Sequence, residues 1–458
     1  MERIPVAVAK ASPDALPELS AYLEPFGHLF RRGQSRHSLD RYITGLLTDL
    51  PRKNCDTIAA AVAGTSTERL QHLLTDADWD PLALDKERVS RLVADSPPGG
   101  ILVLDDTGLP KQGRASVGVA RQYSGTLGKV ANCQVIVSAE YVADEPDSST
   151  PLHWPVSAQL YVPESWATQP ERRVQGQIPE EVSFHTKPEI ALALVDRARA
   201  WGVPFSVVVA DAAYGSNPTF LEGLEERQLL YLCRVEKSFG VRLPEEVQAA
   251  AAAPPPAYSG RGRPPSARPA ALHTVAEIAQ SIPDEVWRTI TWRDGTKGPL
   301  CKQFAAVRVH WATGNPENGR CLDHHTVRTG PEGWLLVERP LPGEDGEIKF
   351  YYANLPAETT LERLVDVAHV RWVIEQFYED AKGECGLDDY QGRLWEGLHR
   401  HIALVMLTYT FLVGQRVAAT EDGDGIFPPC AGAAIAPSRA SAATAMATPG
   451  PCAVDHGQ

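Results

Sequence analysis

Residues Ile101-Leu102-Val103-Leu104-Asp105-Asp106-Thr107-Gly108 constrain the fold more than any other stretch of the chain. Four apolar residues run directly into two acids and a Thr-Gly break. A continuous apolar run of this length, ended by turn chemistry, predicts a strand buried on both faces. The two carboxylates then stand where the strand leaves the core. Side chains alternate across a strand, so Asp105 and Asp106 point to opposite faces. Taken alone, such a pair is as readily a loop or a cap as a site, and the rest of the chain must decide.

A chain of 458 residues exceeds what one core usually holds, which predicts two or three domains. The start, Met1-Glu2-Arg3-Ile4-Pro5, has no long apolar core and does not read as a signal peptide. The longest apolar-rich run, around His401 to Val413, is too short and interrupted to span a bilayer. Eight cysteines are scattered with no Cys-x-x-Cys pair, which argues against zinc or a disulfide framework. That usage suits a reducing cytoplasm.

The net charge of −14 argues at first against a nucleic-acid partner, but distribution matters more than the total. From Thr107 to Ala139 there are four bases (Lys111, Arg114, Arg121 and Lys129) and no acid. Arg31, Arg32, Arg36, Arg41, Arg52 and Lys53 form a second basic region, and Arg261, Arg263 and Arg268 a third. Each cluster is either solvated surface or a place where DNA is held locally.

Residues 1 to about 95 read as helical, with apolar spacing over Ser38–Leu50, Cys55–Val62 and Ser66–Leu74. Pro97-Pro98-Gly99-Gly100 is a break. Strands are predicted at Gln134–Val142 and Leu152–Val162, a helix at about Lys187–Trp201, and an apolar strand at Phe205–Ala210 that ends on Asp211. A helix near Pro218–Arg227 and a strand at Leu229–Val235 follow. The order β-β-β-α-β-α-β fits an α/β fold with a ribonuclease H-like mixed sheet. There the first and fourth strands lie side by side and bring Asp106 to Asp211. Four further strands, at Trp287–Trp292, Phe304–Trp311, Gly333–Arg339 and Ile348–Ala353, suggest a β-rich insertion behind an Ala/Pro/Arg-rich loop at Ala249–Pro269. The domains expected are an N-terminal helical DNA-binding domain (1–97), the first part of the core (98–235), the insertion (236–355), the last core helices (356–420) and a disordered tail (421–458).

One long helix is predicted from a capping box at Thr359-x-x-Glu362 to about Ala381. At 100° per residue, Leu361, Leu364, Ala368 and Trp372 share a stripe, and Arg371, Glu375 and Lys382 fall within about 40° of each other on its continuation. This places Glu375 at the edge of the core, with Glu379 a weaker candidate. The bland alternative is an Arg371–Glu375 surface pair worth a few tenths of a kcal/mol.

Three carboxylates brought together would repel, and divalent cations resolve that conflict. Hard oxygen ligands suit Mg2+ or Mn2+, and two such ions can activate a nucleophile and stabilise a leaving oxygen of a phosphodiester. Arg371 and Lys382 can neutralise phosphate oxygens. Competing motifs are poor. Gly125-x-x-Gly128-Lys129 is not a P-loop, and no Gly-x-Ser-x-Gly or His-Glu-x-x-His occurs. His324-His325 reads as a loop pair, and His399 and His401 as packing for the last helix. A phosphatase-like nucleophile would need an acid two residues after Asp105 or Asp106, where Thr107 and Gly108 stand.

Three blocks resemble the DDE-type insertion-sequence transposases. They are Leu104-Asp105-Asp106-Thr107-Gly108-x-Pro110-Lys111 with Gly118-Val119-Ala120-Arg121-Gln122-Tyr123-Ser124-Gly125; Val209-Ala210-Asp211-Ala212-Ala213-Tyr214-Gly215; and Arg371, Glu375 and Lys382 in Arg-x3-Glu-x6-Lys spacing. The resemblance implies a ribonuclease H-like domain with Asp106, Asp211 and Glu375 as catalytic residues and ligands of two Mg2+ or Mn2+ ions. Asp105 is the alternative first ligand; Asp106 is preferred because relatives place the ligand just before Thr. It implies DNA contacts from Arg371, Lys382, Lys111, Arg121 and Lys129. It further implies hydrolytic cleavage at transposon ends, joining of 3′-OH ends to target DNA, a homodimer on double-stranded DNA bearing terminal inverted repeats, and a cytoplasmic, nucleoid-associated location. The related signature carries Tyr three residues before the Arg; here that residue is Ala368. The alternative function is a catalytically silent DNA-binding protein derived from such an enzyme.

Overall fold

The computed structural model describes residues 16–124, 128–145, 148, 151–253, 270–295, 298–314 and 328–420. Arg261, Arg263 and Arg268, the His324-His325 pair, and the tail from Asp422 lie outside the described residues, as does part of the Gly125–Lys129 segment.

The chain opens with helices α1 (Pro17–Leu23), α2 (Gly33–Leu47), α3 (Cys55–Ala61), α4 (Thr67–Thr75) and α5 (Pro81–Asp95). Their starts are chemically marked. Asn54 and Thr57 form a reciprocal capping box, and Ser66 and Asp80 cap α4 and α5. Strands β1 (Gly100–Pro110), β2 (Ala120–Ser124), β3 (Lys129–Val142) and β4 (His153–Tyr161) follow. Helices α6 (Glu164–Thr168), α7 (Pro170–Gly176) and α8 (Lys187–Ala200) lead to β5 (Phe205–Ala210), α9 (Ala212–Gly215), α10 (Pro218–Glu226) and β6 (Leu230–Val235). Then come β7 (Gly240–Arg242), α11 (Pro244–Ala252), β8 (His273–Thr274), α12 (Val275–Ser281), β9 (Arg288–Gly295), β10 (Gly298–Ala312), β11 (Thr329–Arg339) and β12 (Lys349–Ala353). Helices α13 (Leu361–His369), α14 (Trp372–Gly383) and α15 (Trp395–Thr420) close the described chain.

The fold is mixed α/β around one sheet. Its strand order is β2-β3-β1-β5-β6-β12-β11-β10-β7-β8, with β4 paired to β3 and β9 to β10. β1 runs antiparallel to β3 and parallel to β5, and β5 runs parallel to β6. β1 and the strand that the sequence orders fourth are neighbours, as predicted. The basic Gly-rich connection between β1 and β3 contains a strand that the sequence pattern did not suggest: β2 pairs with the start of β3 as a hairpin. The strands of residues 236–355 do not form a separate sheet. β12 pairs antiparallel with β6, so they extend the sheet that carries the acids.

Helix α8 covers the face of the sheet toward which Asp106 points: Arg197 donates to Ser157 and Gln159 of β4. Helices α14 and α15 cover the other face, where Tyr378 bonds Ser138 opposite Asp105 and Tyr409 packs on His153 and Phe377. α15 is long and apolar enough by length and composition to cross a membrane, yet its residues 401–410 are all buried between α2, α4, α5 and β4. His399 and His401 do pack this helix, and burial lowers both to about 4.

The single long helix predicted over 359–381 is two helices. At the junction Val373 and Ile374 donate to the carbonyls of Val370 and Arg371, three residues back. Such a turn winds about 120° per residue rather than 100°, so the stripe changes phase. The guanidinium of Arg293 from β9 stacks over the ring of Trp372 at this junction, 3.9 Å from its centroid. The N-cap is Thr360, not Thr359, and it accepts from the Arg363 amide.

Candidate active site

β5 ends at Ala210, opposite Leu104 of β1, while β1 continues. Asp105 and Asp106 therefore stand beside Asp211 at one end of two parallel strands. Asp211 caps the short helix α9, its Oδ1 accepting from the Ala213 and Tyr214 amides at 3.0 and 3.4 Å. That turn lies flush on β6: a Cβ at Gly215 would sit 2.1 Å from the Arg234 carbonyl oxygen. Glycine there lets Tyr214 reach the acids, and its hydroxyl donates to Asp106 Oδ2 at 3.2 Å.

The two acids of β1 have different partners, as alternation requires. Asp106 accepts from Lys187 at the start of α8, at 2.9 Å. Asp105 accepts from Arg371 at 2.6 Å and from the Asp106 amide at 2.8 Å. Arg371 in turn holds Glu375. Thus the alternative first ligand, Asp105, faces the Arg371–Glu375 pair, while Asp106 faces α8. Burial pushes Asp105 up to about 7; Arg371 opposes the shift, and Asp211 and Asp106 add to it. Burial also raises Asp211, again opposed by Arg371 and reinforced by Asp106. Arg371 is held charged by Asp105, Glu375 and Asp211, which outweigh its own burial.

Glu375 does not point into the core edge as the stripe predicted. Its side chain is 57% exposed, and the buried face of α14 is Val373, Ile374, Phe377, Tyr378 and Ala381. The phase change at 370–371 accounts for the difference. Among the described residues, no three His, Cys, Asp or Glu side chains stand close enough together to hold a metal ion as they are.

The expected DNA contacts divide. Arg121 and Lys129 are exposed on the β2–β3 hairpin. Lys382 donates to Thr107 at 2.6 Å, and burial lowers it. Lys111 turns inward, donating to the carbonyls of Tyr390 and Asp388 at 2.6 and 3.3 Å, and burial lowers it to about 8. In the N-terminal basic region Arg41 and Lys53 are buried, while Arg31, Arg32, Arg36 and Arg52 are exposed. Lys187 and Tyr214 were not singled out from the sequence. Their signals are position: Lys187 is the first residue after a Thr186 cap, and Tyr214 is third in the turn capped by Asp211.

A model of the DDE superfamily endonucleases matches residues 25–299. The chain belongs to this superfamily. The match takes in β1 and β5 with their acids and ends before the helix of Glu375. The chain is also similar to a probable transposase for insertion sequence element IS701 from Microchaete diplosiphon, 31% identical over 228 residues. That alignment covers 48% of this chain and 54% of the relative, so the DDE superfamily chain spans about half the length of the curated relative it matches. Members of the superfamily generally use divalent metal ions.

Proposed function

We propose that this protein is a DNA transposase that cuts transposon ends by hydrolysis and joins the freed 3′-OH ends to target DNA. The observation that carries the reading is the meeting of Asp105, Asp106 and Asp211 at the end of two adjacent parallel strands, beside Arg371 and Glu375. The order β4-β3-β1-β5-β6 supports a ribonuclease H-like core over 98–235 and 356–420, with 236–355 as a β-rich insertion. Residues 1–97 serve as the DNA-binding domain.

The site's chemistry fits divalent cations. The donors are hard carboxylate oxygens, and Asp105 and Asp211 are raised toward protonation by burial and neighbouring acids, a conflict that a cation relieves. Asp211 and Glu375 would hold two ions, Mg2+ or Mn2+, together with Asp106 once it leaves Lys187 and turns from α8, or with Asp105, which already faces them; when bound the ions would supply an activated water and a stabilised leaving oxygen. Lys187 and Arg371 neutralise the acids in the protein alone and yield them on loading. Tyr214 orients the Asp106 carboxylate. Arg371 and Lys382 then neutralise phosphate oxygens, and Arg121 and Lys129 on the hairpin hold the duplex. A second reading takes Asp105 as first ligand, because it shares Arg371 with Glu375.

Holding two ends together calls for a homodimer on DNA that carries terminal inverted repeats, in the cytoplasm at the nucleoid. The test is cleavage of a duplex made from the DNA bordering this reading frame, in Mg2+. Asp106→Asn, Asp211→Asn and Glu375→Gln should bind but not cut. Full cleavage by all three overturns the assignment, and binding without cleavage by the unaltered protein in both Mg2+ and Mn2+ favours a silent DNA-binding derivative.

A further inference from the structure

The sheet end that carries the acids does not stop at β5. On the next two strands the same face presents bases. Arg234 of β6 pairs with Tyr351 of β12, and Lys349 lies two residues along on the same side. Leu232, two residues before Arg234, is opposite Val209, which is opposite Val103, so this face is the one from which Asp105 projects. From β1 to β12 the row therefore reads acid, acid, base, base: Asp105, Asp211 just beyond β5, Arg234, Lys349. Neighbouring strands lie about 4.8 Å apart, so the bases stand one and two strand spacings beyond the acids.

A cavity of 180 Å³ opens along this row, lined by Arg234, Lys349, Tyr351, His369, Arg371 and Glu375 among others. Three fixed cations, Arg234, Lys349 and Arg371, and one carboxylate, Glu375, border it. Arg371 is held by Asp105 and Glu375, and the other two cations by partners of two kinds. Lys349 and His369 share the buried Glu338, which also accepts from Tyr351. Arg234 is held by Glu347, whose side chain is 73% exposed. A pair that exposed contributes little and is readily displaced by a better anion. Arg234 can then offer a planar fork to two oxygens of a phosphate. In a chain of net charge −14, cations gathered beside an acidic site call for a specific anion.

We propose that Arg234 and Lys349, with Arg371, form a second phosphate seat, which holds the backbone of the DNA strand being cut at a phosphate next to the scissile one. This rests on the proposed nuclease function and adds a path: the strand runs across the sheet end from the acids toward β12. Arg234 and Lys349 are positioning residues and take no part in bond breaking.

The probe is the duplex bordering the reading frame, bound by the full chain in EDTA over a salt series and followed by fluorescence anisotropy. Arg234→Gln should weaken binding roughly tenfold and lower the salt slope by about 0.9. Glu347→Gln should tighten binding severalfold, because it releases Arg234. A merely structural pair would weaken binding in both variants or in neither, and either result overturns the seat. Lys349→Arg should bind as the unaltered protein does, whereas a variant that loses Lys349 strands the buried Glu338, so the arginine replacement is the one to make. Cleavage in Mg2+ is scored separately. Unaltered protein that binds with the predicted pattern but does not cut rejects the nuclease reading and leaves the seat. Protein that cuts while Arg234→Gln and Glu347→Gln bind unchanged rejects the seat and leaves the nuclease.

Discussion

The molecule holds two charged networks, one among its helical layers and one at the sheet end, and they are built differently. The inner one ties the N-terminal helices to β4, α15 and the segment after α14, and ties the end of β1 to that same segment. Its cations end on backbone carbonyls: Arg88 on Pro155 and Val156, Arg400 on Ala77 and Trp79, Lys53 on Leu46 and Glu384, Lys111 on Asp388 and Tyr390. The outer one, at the sheet end, joins side chain to side chain: Lys187 to Asp106, and Arg371 to Asp105 and Glu375. A carbonyl cannot leave its peptide, so the inner cations are fixed by the fold. A side-chain cation can swing away, so the outer carboxylates can change partners. The first arrangement holds layers together; the second suits a site that exchanges ligands.

The sharpest break in this comparison is loss of an outer carboxylate. Asp211→Asn and Glu375→Gln should slow Mg2+-dependent cleavage by about 4 kcal/mol or more, roughly a thousandfold, with little change in melting temperature. Asp106→Asn should behave the same way, and Asp105→Asn should cost much less. Single-turnover rates decide between them; the reverse ranking assigns the first ligand to Asp105.

Loss of an inner cation should do the opposite. Arg88 is 1% exposed and bonds the buried Asp85 as well as the two carbonyls. Arg88→Ala leaves that acid unpaired in the core and should destabilise the fold by about 3–5 kcal/mol. Denaturant unfolding measures it. A fully stable variant would show that the inner network is not structural.

The sequence shows part of this contrast directly. The apolar runs of β1 and β5 are legible because both strands are buried on both faces, and the acids that end them are legible as turn chemistry. What alternation states is that Asp105 and Asp106 part company; it does not state which helix covers which face. That depends on long-range packing, with α8 against one side and α14 against the other. Glu375 misled for a local reason, since a three-residue-period turn at Val370–Arg371 is invisible to a 100° template. Lys53, Arg41 and Lys111 misled for another: a long stem can bury itself and carry its charge to an inner partner. Arg234 and Lys349 were unreadable because β6 and β12 are far apart in sequence and meet only in the sheet.

His401 gives the inner network a pH signature. Tyr42 bonds Nδ1 at 2.8 Å and Nε2 bonds the Gly386 carbonyl at 3.1 Å. A neutral ring with its proton on Nε2 satisfies both, with the Tyr42 hydroxyl donating to Nδ1. Burial lowers its pKa from 6.5 to about 4. The unfolded chain then takes up a proton below pH 6.5 that the folded chain refuses. Its share of the stability is complete above that pH and falls by about 1.4 kcal/mol per unit as pH drops toward 4, and the buried His399, lowered to the same value, adds a like share. His401→Gln should remove its share of that slope in melts between pH 7 and 4.5. An unchanged slope would place the acid sensitivity elsewhere.

The finest test sets two lysines of one basic segment against each other. Lys111 and Lys129 lie on the same acid-free stretch, and the sequence treats them alike. Lys129 is exposed at the start of β3, whereas Lys111 is tied to two carbonyls beyond α14. Lys129→Ala should leave stability unchanged and lower the salt slope of DNA binding by about 0.9. Lys111→Met should leave that slope unchanged and destabilise by about 1–2 kcal/mol, because the Tyr390 carbonyl loses its donor. The two effects are small, but they fall on different measurements. If Lys111→Met lowers the slope instead, its ammonium leaves the carbonyls for DNA, and the line between fixed and exchangeable cations must be redrawn on the other side of it.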